Sequence, residues 1–241
     1  MFLLMLSKTK LRPERLDMRL DREILSETFT IGLPALGTTF VSCFGYIAFA
    51  RMVSGMGTTI FAAHSIAITA EQIVYIPGYG LRVATSTLVG NALGEKDIRK
   101  LKATERVSIL ITLLIMVVNG IGLYLFAYPF MRLFTNSVNA ARIGSEVLRL
   151  VSFSEPFFGL MIVLEGISYG MGRTKHVFAC EAVSMWGIRI FGTFLCVNVF
   201  GLGLKAVWLC MIADNICKAI LLYIFRPKHV EENADDRGEL R

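Results

Sequence analysis

Six long apolar segments constrain this chain more than any other feature of its 241 residues. They lie at roughly residues 26–50, 59–93, 105–130, 145–170, 177–200 and 203–225. The hydrocarbon core of a bilayer is about 30 Å thick, and about 20 helical residues cross it. Each segment is long enough to cross, and together they leave no room for a separate soluble domain. The sequence therefore predicts an all-α, polytopic membrane protein, with a six-transmembrane-helix bundle over residues 24–226.

Charge is scarce and unevenly distributed. Only 18% of the residues are charged and the mean hydropathy is +0.59, which is unlike a soluble domain. The basic residues that produce the net charge of +6 cluster in an N-terminal arm (1–23), in alternate connections and in a polar tail (227–241). This alternation follows the positive-inside rule and predicts a multi-pass protein of the cell membrane with both termini in the cytoplasm. We expect contact with membrane lipid and no binding to nucleic acid. The first residues of the arm, MFLLMLS, indicate the end of a preceding helix.

The second apolar segment is the longest and carries the strongest chemical signals. From Thr59 to Gly94 a straight helix would reach roughly 54 Å, which exceeds the thickness of a bilayer core. Pro77, Gly78 and Gly80 give this helix a place to bend, because proline removes a backbone hydrogen bond and glycine adds freedom. We predict a hinge at these three residues.

Glu71 lies near the middle of the same segment. Counted from Thr59 it is about 18 Å along the helix, close to the membrane midplane. A carboxylate there costs on the order of 2.5 to 3.5 kcal/mol by insertion scales, so it needs a partner or a function. With Gln72 and Tyr75 beside it, Glu71 is the leading candidate for binding an ion or a substrate.

Four more ionisable residues have a similar predicted depth on other segments. They are Glu155, Arg189, Asp214 and Lys218. Asp214 and Lys218 are four residues apart and can pair within one helix, which leaves Arg189 to pair with one of the glutamates. The set predicts either a polar cavity inside the bundle or a group of static ion pairs. The residues alone leave both interpretations open.

Metal binding and covalent catalysis find little support in the sequence. The five cysteines all lie in apolar segments, and no C-x-x-C spacing occurs. We interpret them as small buried hydrophobic residues. His-Glu-x-x-His and Gly-x-Gly-Asp motifs are also absent from the sequence. We therefore predict a protein that is not an enzyme, with no metal site and no catalytic residues.

A succession of motifs resembles the multidrug and toxin extrusion (MATE) transporters, in particular their carboxy-terminal six-helix lobe. The motifs are IGLPA, then AAHSIAITAEQIVYIPGYGLRVATSTLVGNALGEKD, then EPFFGLMIVLEGISYGMGRTK, MWGIRI and GLGLKAVWLCMIADN. Their order makes the resemblance specific, and it covers about residues 24–226.

The resemblance implies half of a twelve-helix antiporter. Such proteins export cationic, amphipathic compounds by alternating access between two lobes, driven by a proton or sodium gradient. It implies a small cationic substrate, no cofactor beyond the coupling ion (H+ or Na+), and a missing N-terminal lobe or a second copy as partner. The candidate ion- or substrate-binding residues are Glu71, Gln72, Tyr75, Glu155, Arg189 and Asp214.

Two departures from the family pattern leave alternatives open. Some members carry an acidic coupling residue in the first span of this lobe, where this chain has Thr38 to Ser42 without a carboxylate. The family's R-G-x-G motif appears with Tyr169 in place of its arginine. A lipid-linked substrate flippase of the same superfamily is the first alternative. A half-lobe that completes or inhibits another lobe without transporting is the second. The substrate and the choice between proton and sodium stay open.

Overall fold

The computed structural model describes residues 22–225, and within that range the chain forms helices joined by short turns. Most of the predicted N-terminal arm and all of the predicted tail (227–241) lie outside the described residues. The helices are α1 (Arg22–Ser54), α2 (Thr58–Gly94), α3 (Ile98–Phe134), α4 (Val138–Ser152), α5 (Glu155–Gly170), α6 (Thr174–Val199) and α7 (Leu204–Ile224). The prediction of an all-helical membrane bundle is confirmed.

Five of these helices are long and apolar enough to cross a membrane, and the pair α4 and α5 passes the same test together. The pair is bent by 61° at Phe153 and Ser154, so the predicted fourth span is a broken helix rather than one continuous helix. Pro156 accordingly lies in the first turn of α5 and not inside a span. A first-turn residue has no intrahelical partner for its N–H, so proline costs nothing there.

The turns between the helices show why the chain reverses where it does. Gly57, Gly172 and Gly201 precede α2, α6 and α7, and each has a positive φ that an L-residue with a side chain rarely adopts. At the start of α3 the Asp97 side chain accepts a hydrogen bond from the backbone N–H of Lys100 at 3.0 Å. Such an N-cap satisfies one of the free donors of the first turn.

Small residues allow α2 and α5 to approach closely. A Cβ built on Gly166 would lie 2.7 Å from the backbone oxygen of Arg82. One built on Gly170 would lie 2.5 Å from the backbone oxygen of Ser86. Close backbone approach at small residues is typical of helix packing in lipid. This contact brings the part of α2 beyond Pro77 against α5 and so fixes one wall of the space inside the bundle.

The outer surface of the bundle is strongly apolar. On α3, Leu110, Leu114, Val118, Ile121 and Leu125 are each more than half exposed. They recur at helical spacing and form one continuous face. Exposed apolar area of this extent is unusual on a soluble monomer and is what a lipid-facing helix requires. The interpretation of the third span as lipid-facing scaffold fits this arrangement.

Candidate functional site

A cavity of about 660 Å³ lies inside the bundle, between α1, α2, α5, α6 and α7. Its wall carries hydroxyls, amides, aromatic rings and both signs of charge. The charged residues on the wall are Glu71, Arg82, Glu165, Glu181, Arg189 and Lys218. The sequence left two interpretations open, a polar cavity and a set of static ion pairs, and the structure contains both features. The pairs form part of the cavity wall.

Glu71 is the candidate on α2 for which the sequence predicts the most important role. Its side chain is on the cavity wall, and the residue is only 3% exposed. Tyr75, one turn further along α2, donates its hydroxyl to Glu71 Oε1 at 2.5 Å. A carboxylate that accepts such a short, charge-assisted hydrogen bond has a fixed orientation. Within residues 22–225, Glu71 forms no ion pair with a basic side chain.

Aromatic rings surround the Glu71–Tyr75 pair. The Tyr75 ring stacks on Phe158 of α5 with 3.7 Å between centroids and 12° between planes. Tyr79 meets both rings edge-on, with centroids 6.5 Å from Tyr75 and 6.2 Å from Phe158. The faces of aromatic rings attract cations. A carboxylate beside a cluster of rings is therefore an environment that can hold an organic cation.

The basic residues of the wall all have carboxylate partners. Arg82 Nη1 lies 3.1 Å from Glu165 Oε2, which joins α2 to α5. Arg189 Nε lies 2.9 Å from Asp214 Oδ2, and both of these side chains are buried. Lys218 Nζ pairs with Glu181 Oε2, and the Ser42 hydroxyl donates to Glu181 Oε1 at 2.5 Å. Among the acids of the wall in residues 22–225, Glu71 is therefore the one without a basic partner.

The pairing differs from the sequence prediction. Asp214 and Lys218 share a face of α7, as their spacing requires, but each pairs with a residue on α6 instead of with the other. Arg189 pairs with Asp214 and not with a glutamate. The single proton of the Ser184 hydroxyl on α6 is shared between the backbone oxygen of Asp214, at 2.9 Å, and its carboxylate. The cross-helix partners prevail because they let α6 and α7 bury their charged groups together.

Two of the candidate residues lie off the cavity wall. Asp214 is fully buried behind it and pairs with Arg189, which lies on the wall. Glu155, also 0% exposed, lies at the break between α4 and α5, against Gly120 of α3. Neither carboxylate oxygen of Glu155 has a hydrogen-bond partner within the part of the chain that the structure describes. The four remaining candidates, Glu71, Gln72, Tyr75 and Arg189, all lie on the wall.

The predicted hinge residues lie within an unbroken helix. α2 runs continuously from Thr58 to Gly94 through Pro77. A Cβ on Gly78 would make only ordinary contacts, the nearest at 3.5 Å, and one on Gly80 would have open space around it. Packing therefore does not require either glycine. The Asn119 side chain of α3 donates to the backbone oxygen of Val74 at 3.0 Å, close to the proline. The hinge stays a prediction.

Sequence reasoning missed three charged residues of the wall, Arg82, Glu165 and Glu181. Glu165 and Glu181 carried the same signal as Glu71, because each is an acid inside an apolar segment. Arg82 was harder to recognise, since it lies well past the proline, towards the end of α2.

By contrast, His64 has the packing role that is commonest for such a residue. Its Nδ1 accepts a hydrogen bond from Trp208 Nε1 at 3.2 Å.

Apolar helices around a charged internal cavity are the architecture of a multi-pass helical membrane protein. The MatE family model matches residues 34–195, from α1 into α6. The chain belongs to the MatE family, and the family resemblance seen in the motifs is confirmed. Members of this family are transporters rather than enzymes.

The sequence relatives carry multidrug resistance names. The probable multidrug resistance protein NorM of Thermotoga maritima is 30% identical over 201 residues, which cover 83% of this chain and 43% of that protein. NorM of Photorhabdus laumondii is 28% identical over 224 residues, 91% of this chain and 49% of that protein. The chain thus spans about half the length of the curated relatives it matches.

This chain also spans about half the length of solved structures that have the same fold. A crystal structure of MATE in complex with MaL6 superposes with a TM-score of 0.86 at 20% identity, over 97% of this chain and 53% of that chain. A MOP superfamily transporter from Pyrococcus furiosus superposes with a TM-score of 0.81 at 21% identity, over 89% and 48%. The described residues therefore have the fold of half a MATE transporter.

Proposed function

We propose that this chain forms the carboxy-terminal half of a cation-coupled multidrug efflux antiporter that works by alternating access. The proposal rests on one observation, the environment of the Glu71 side chain. It is a buried carboxylate on the wall of an aromatic cavity, and its only hydrogen-bond partner in residues 22–225 is a tyrosine. The multidrug resistance names of the relatives support an efflux role for the family.

The proposed mechanism is electrostatic and involves no covalent step. A cationic, amphipathic substrate places its charge against Glu71 and its apolar part against Tyr75, Tyr79 and Phe158. A proton or sodium ion then takes the place of the substrate at the carboxylate and releases it. Two unit charges about 4 Å apart attract by about 4 kcal/mol at an effective dielectric constant of 20. That energy is lost on exchange, so the two cations compete for one site.

Alternating access needs a second wall and a moving part. We propose that another six-helix lobe, either a separate N-terminal lobe or a second copy of this chain, faces the cavity. The length relation to the MATE structures supports this arrangement. In the proposed cycle the segment of α2 beyond Pro77 swings relative to the segment that carries Glu71. Rocking of one lobe against another around a central site is the general scheme for such transporters.

The test is reconstitution of the chain in liposomes, alone and together with a separately expressed N-terminal lobe. Efflux of a fluorescent organic cation is followed under an imposed proton gradient and then under a sodium gradient. Binding of the same cation is measured in detergent. Glu71→Gln should weaken binding at least about tenfold, which corresponds to about 1.4 kcal/mol, and should abolish gradient-dependent flux.

Glu146→Gln is the matched control. It makes the same chemical change in a half-exposed glutamate that pairs with Lys205 and Arg142, far from the cavity wall. Binding and flux should be unchanged in this variant. If Glu71→Gln also binds and transports normally, Glu71 is a structural residue and the proposal fails. If the folded chain transports only when the second lobe is present, the half is incomplete by itself.

One observation favours a second candidate, the lipid-linked flippase. The wall carries as many bases as acids, so the cavity can also present Arg82, Arg189 and Lys218 to an anionic headgroup. The Pyrococcus furiosus relative is described as having a binding pocket of reverse polarity that suggests a different function. Binding of a polyprenyl pyrophosphate, weakened by Arg82→Gln but not by Glu71→Gln, would favour this candidate over the antiporter.

A further inference from the structure

Two cysteine side chains meet at the end of the α6–α7 helix pair. Cys196 lies near the end of α6 and Cys210 in the second turn of α7. Their sulfur atoms are 3.7 Å apart, and both residues are partly buried. Cys180, by contrast, has its sulfur 3.7 Å from His176 Nδ1. The Cys196–Cys210 pair has no part in the cavity and is not needed for the proposed transport.

Local helix geometry creates this contact. Gly192, one turn before Cys196, is opposite Cys210, and a Cβ built there would lie 3.2 Å from the Cys210 sulfur. Because Gly192 has no side chain, the Cys210 sulfur can pack against α6 at this position. Cys196 lies in a π-helical turn, Leu195–Val199. Such a turn contains one extra residue, which rotates the residues after it by about 100° relative to a regular α-helix.

Further along the two helices, ion pairs fix the register of α6 against α7. The buried pairs Arg189–Asp214 and Lys218–Glu181 both join α6 to α7. Because the helices are antiparallel, these pairs and the two thiols follow one another along a single seam. Sliding or rotation of either helix would break two ion pairs in an apolar medium, which is costly. The two sulfur atoms are therefore kept opposite each other and do not meet only by chance.

We propose that Cys196 and Cys210 are a disulfide-forming pair that covalently joins α6 to α7 under oxidising conditions. The oxidant is an external disulfide, either a small molecule or a protein. One cysteine thiolate attacks it and releases one thiol, and the second cysteine then attacks the mixed disulfide and releases the other. Two thiols thus become one disulfide, and the oxidant is reduced to two thiols. The sulfur atoms must approach by about 1.7 Å to reach the bond length of about 2.05 Å.

The predicted topology places this pair on the oxidising side of the membrane. If both termini are cytoplasmic, the α6–α7 connection at residues 200–203 lies on the opposite face. Disulfides persist in periplasmic and extracellular environments and are rare in the cytoplasm. Cys210 is about 9 Å along α7 from Leu204, so the pair is near that face. A small oxidant can reach it there without crossing the whole membrane.

The experiment uses purified full chain in detergent, treated with oxidised glutathione, then blocked with iodoacetamide, denatured and digested with trypsin. Cleavage after Arg189, Lys205 and Lys218 gives peptide 190–205 with Cys196 and peptide 206–218 with Cys210. Cys217 is in the second peptide, so the chain also carries Cys217→Ser. The expected product is the two peptides joined, with a mass about 2 Da below their sum, and separated again by a reductant.

Four controls make the result decisive. Cys196→Ser must remove the joined product, and wild-type chain treated in the same way must give it too. Gly192→Val displaces the Cys210 sulfur and should slow the reaction at least about tenfold in a chain that elutes as a folded species. Chain unfolded in dodecyl sulfate before oxidation should lose the preference for this pair.

The proposal is overturned if both Cys196 and Cys210 of the folded chain are recovered with iodoacetamide adducts while Cys43, which lines the cavity, becomes glutathionylated. In that case the oxidant has reached the protein and the pair has not reacted. It is equally overturned if Cys196 or Cys210 stops at a stable mixed disulfide with glutathione.

Discussion

The buried pair between Arg189 and Asp214 gives the sharpest test of how this bundle tolerates charge. Asp214 is fully buried, and Arg189 is almost so, with Nε and Oδ2 2.9 Å apart. Arg189 also lies over the rings of Tyr46 and Phe49, at 5.5 and 5.8 Å from their centroids. Asp214→Asn removes the negative charge but keeps the shape and the oxygen atoms that accept from the Ser184 hydroxyl. Arg189→Met removes the positive charge and keeps most of the contact with the rings.

The size of the effect depends on the charge that each single change leaves behind. Removing one partner of a buried ion pair costs about 3–5 kcal/mol, because the other charge remains without compensation. Arg189→Met loses in addition the cation–π contacts, worth about 0.5–2 kcal/mol. In the double variant no charge is left uncompensated. Its loss of unfolding free energy should therefore be well below the sum of the two single losses, by at least about 2 kcal/mol.

The assay is a double-mutant cycle by dodecyl sulfate titration in mixed micelles, with helix content followed by circular dichroism. Where a single variant does not fold, recovery of a monodisperse species in the double variant reports the same coupling. Additive losses, or single losses below about 1 kcal/mol, would refute the reasoning, because both require that the charges are solvated or paired elsewhere.

Three further changes test the packing and the capping. Trp208→Phe removes the hydrogen bond to His64 and should lower the free energy of unfolding by about 1–3 kcal/mol, measured by the same titration. Gly166→Leu drives a side chain into the backbone of α2 and should prevent a monodisperse fold on size-exclusion chromatography, whereas Gly80→Ala, in open space, should not. Asp97→Ala removes the N-cap of α3 and should cost about 1 kcal/mol. An unchanged melting temperature in that variant would mean that water replaces the cap.

The spans and the buried charges were predictable because both depend on properties of single residues. An apolar run of about 20 residues crosses a bilayer whatever it packs against. A carboxylate within it is costly wherever it points. Glu71 and Arg189 were found in this way, and Glu165 could have been.

The partners of the charges were not predictable from spacing. Residues four apart on a helix share a face, and this made Asp214 and Lys218 look like a pair. Which residue lies opposite depends on how α6 is rotated, and its π-helical turns at 185–190 and 195–199 change that rotation. The break before α5 was different, because Ser154-Glu155-Pro156 is a helix-start signal. The long apolar run concealed that signal.

The charge arrangement also shows that the proposed cation site at Glu71 costs the bundle little stability. Its burial costs about 2.5 to 3.5 kcal/mol on insertion scales, and a hydrogen bond to a charged group returns about 1.5 to 3 kcal/mol. The short bond from Tyr75 therefore leaves a deficit on the order of 1 kcal/mol. A static ion pair would remove that deficit but would also exclude a cation from solution. A hydroxyl partner is neutral and leaves the carboxylate charge uncancelled. A cation that binds at Glu71 therefore gains a full ion-pair attraction, as the bases on the wall gain from the acids with which they pair.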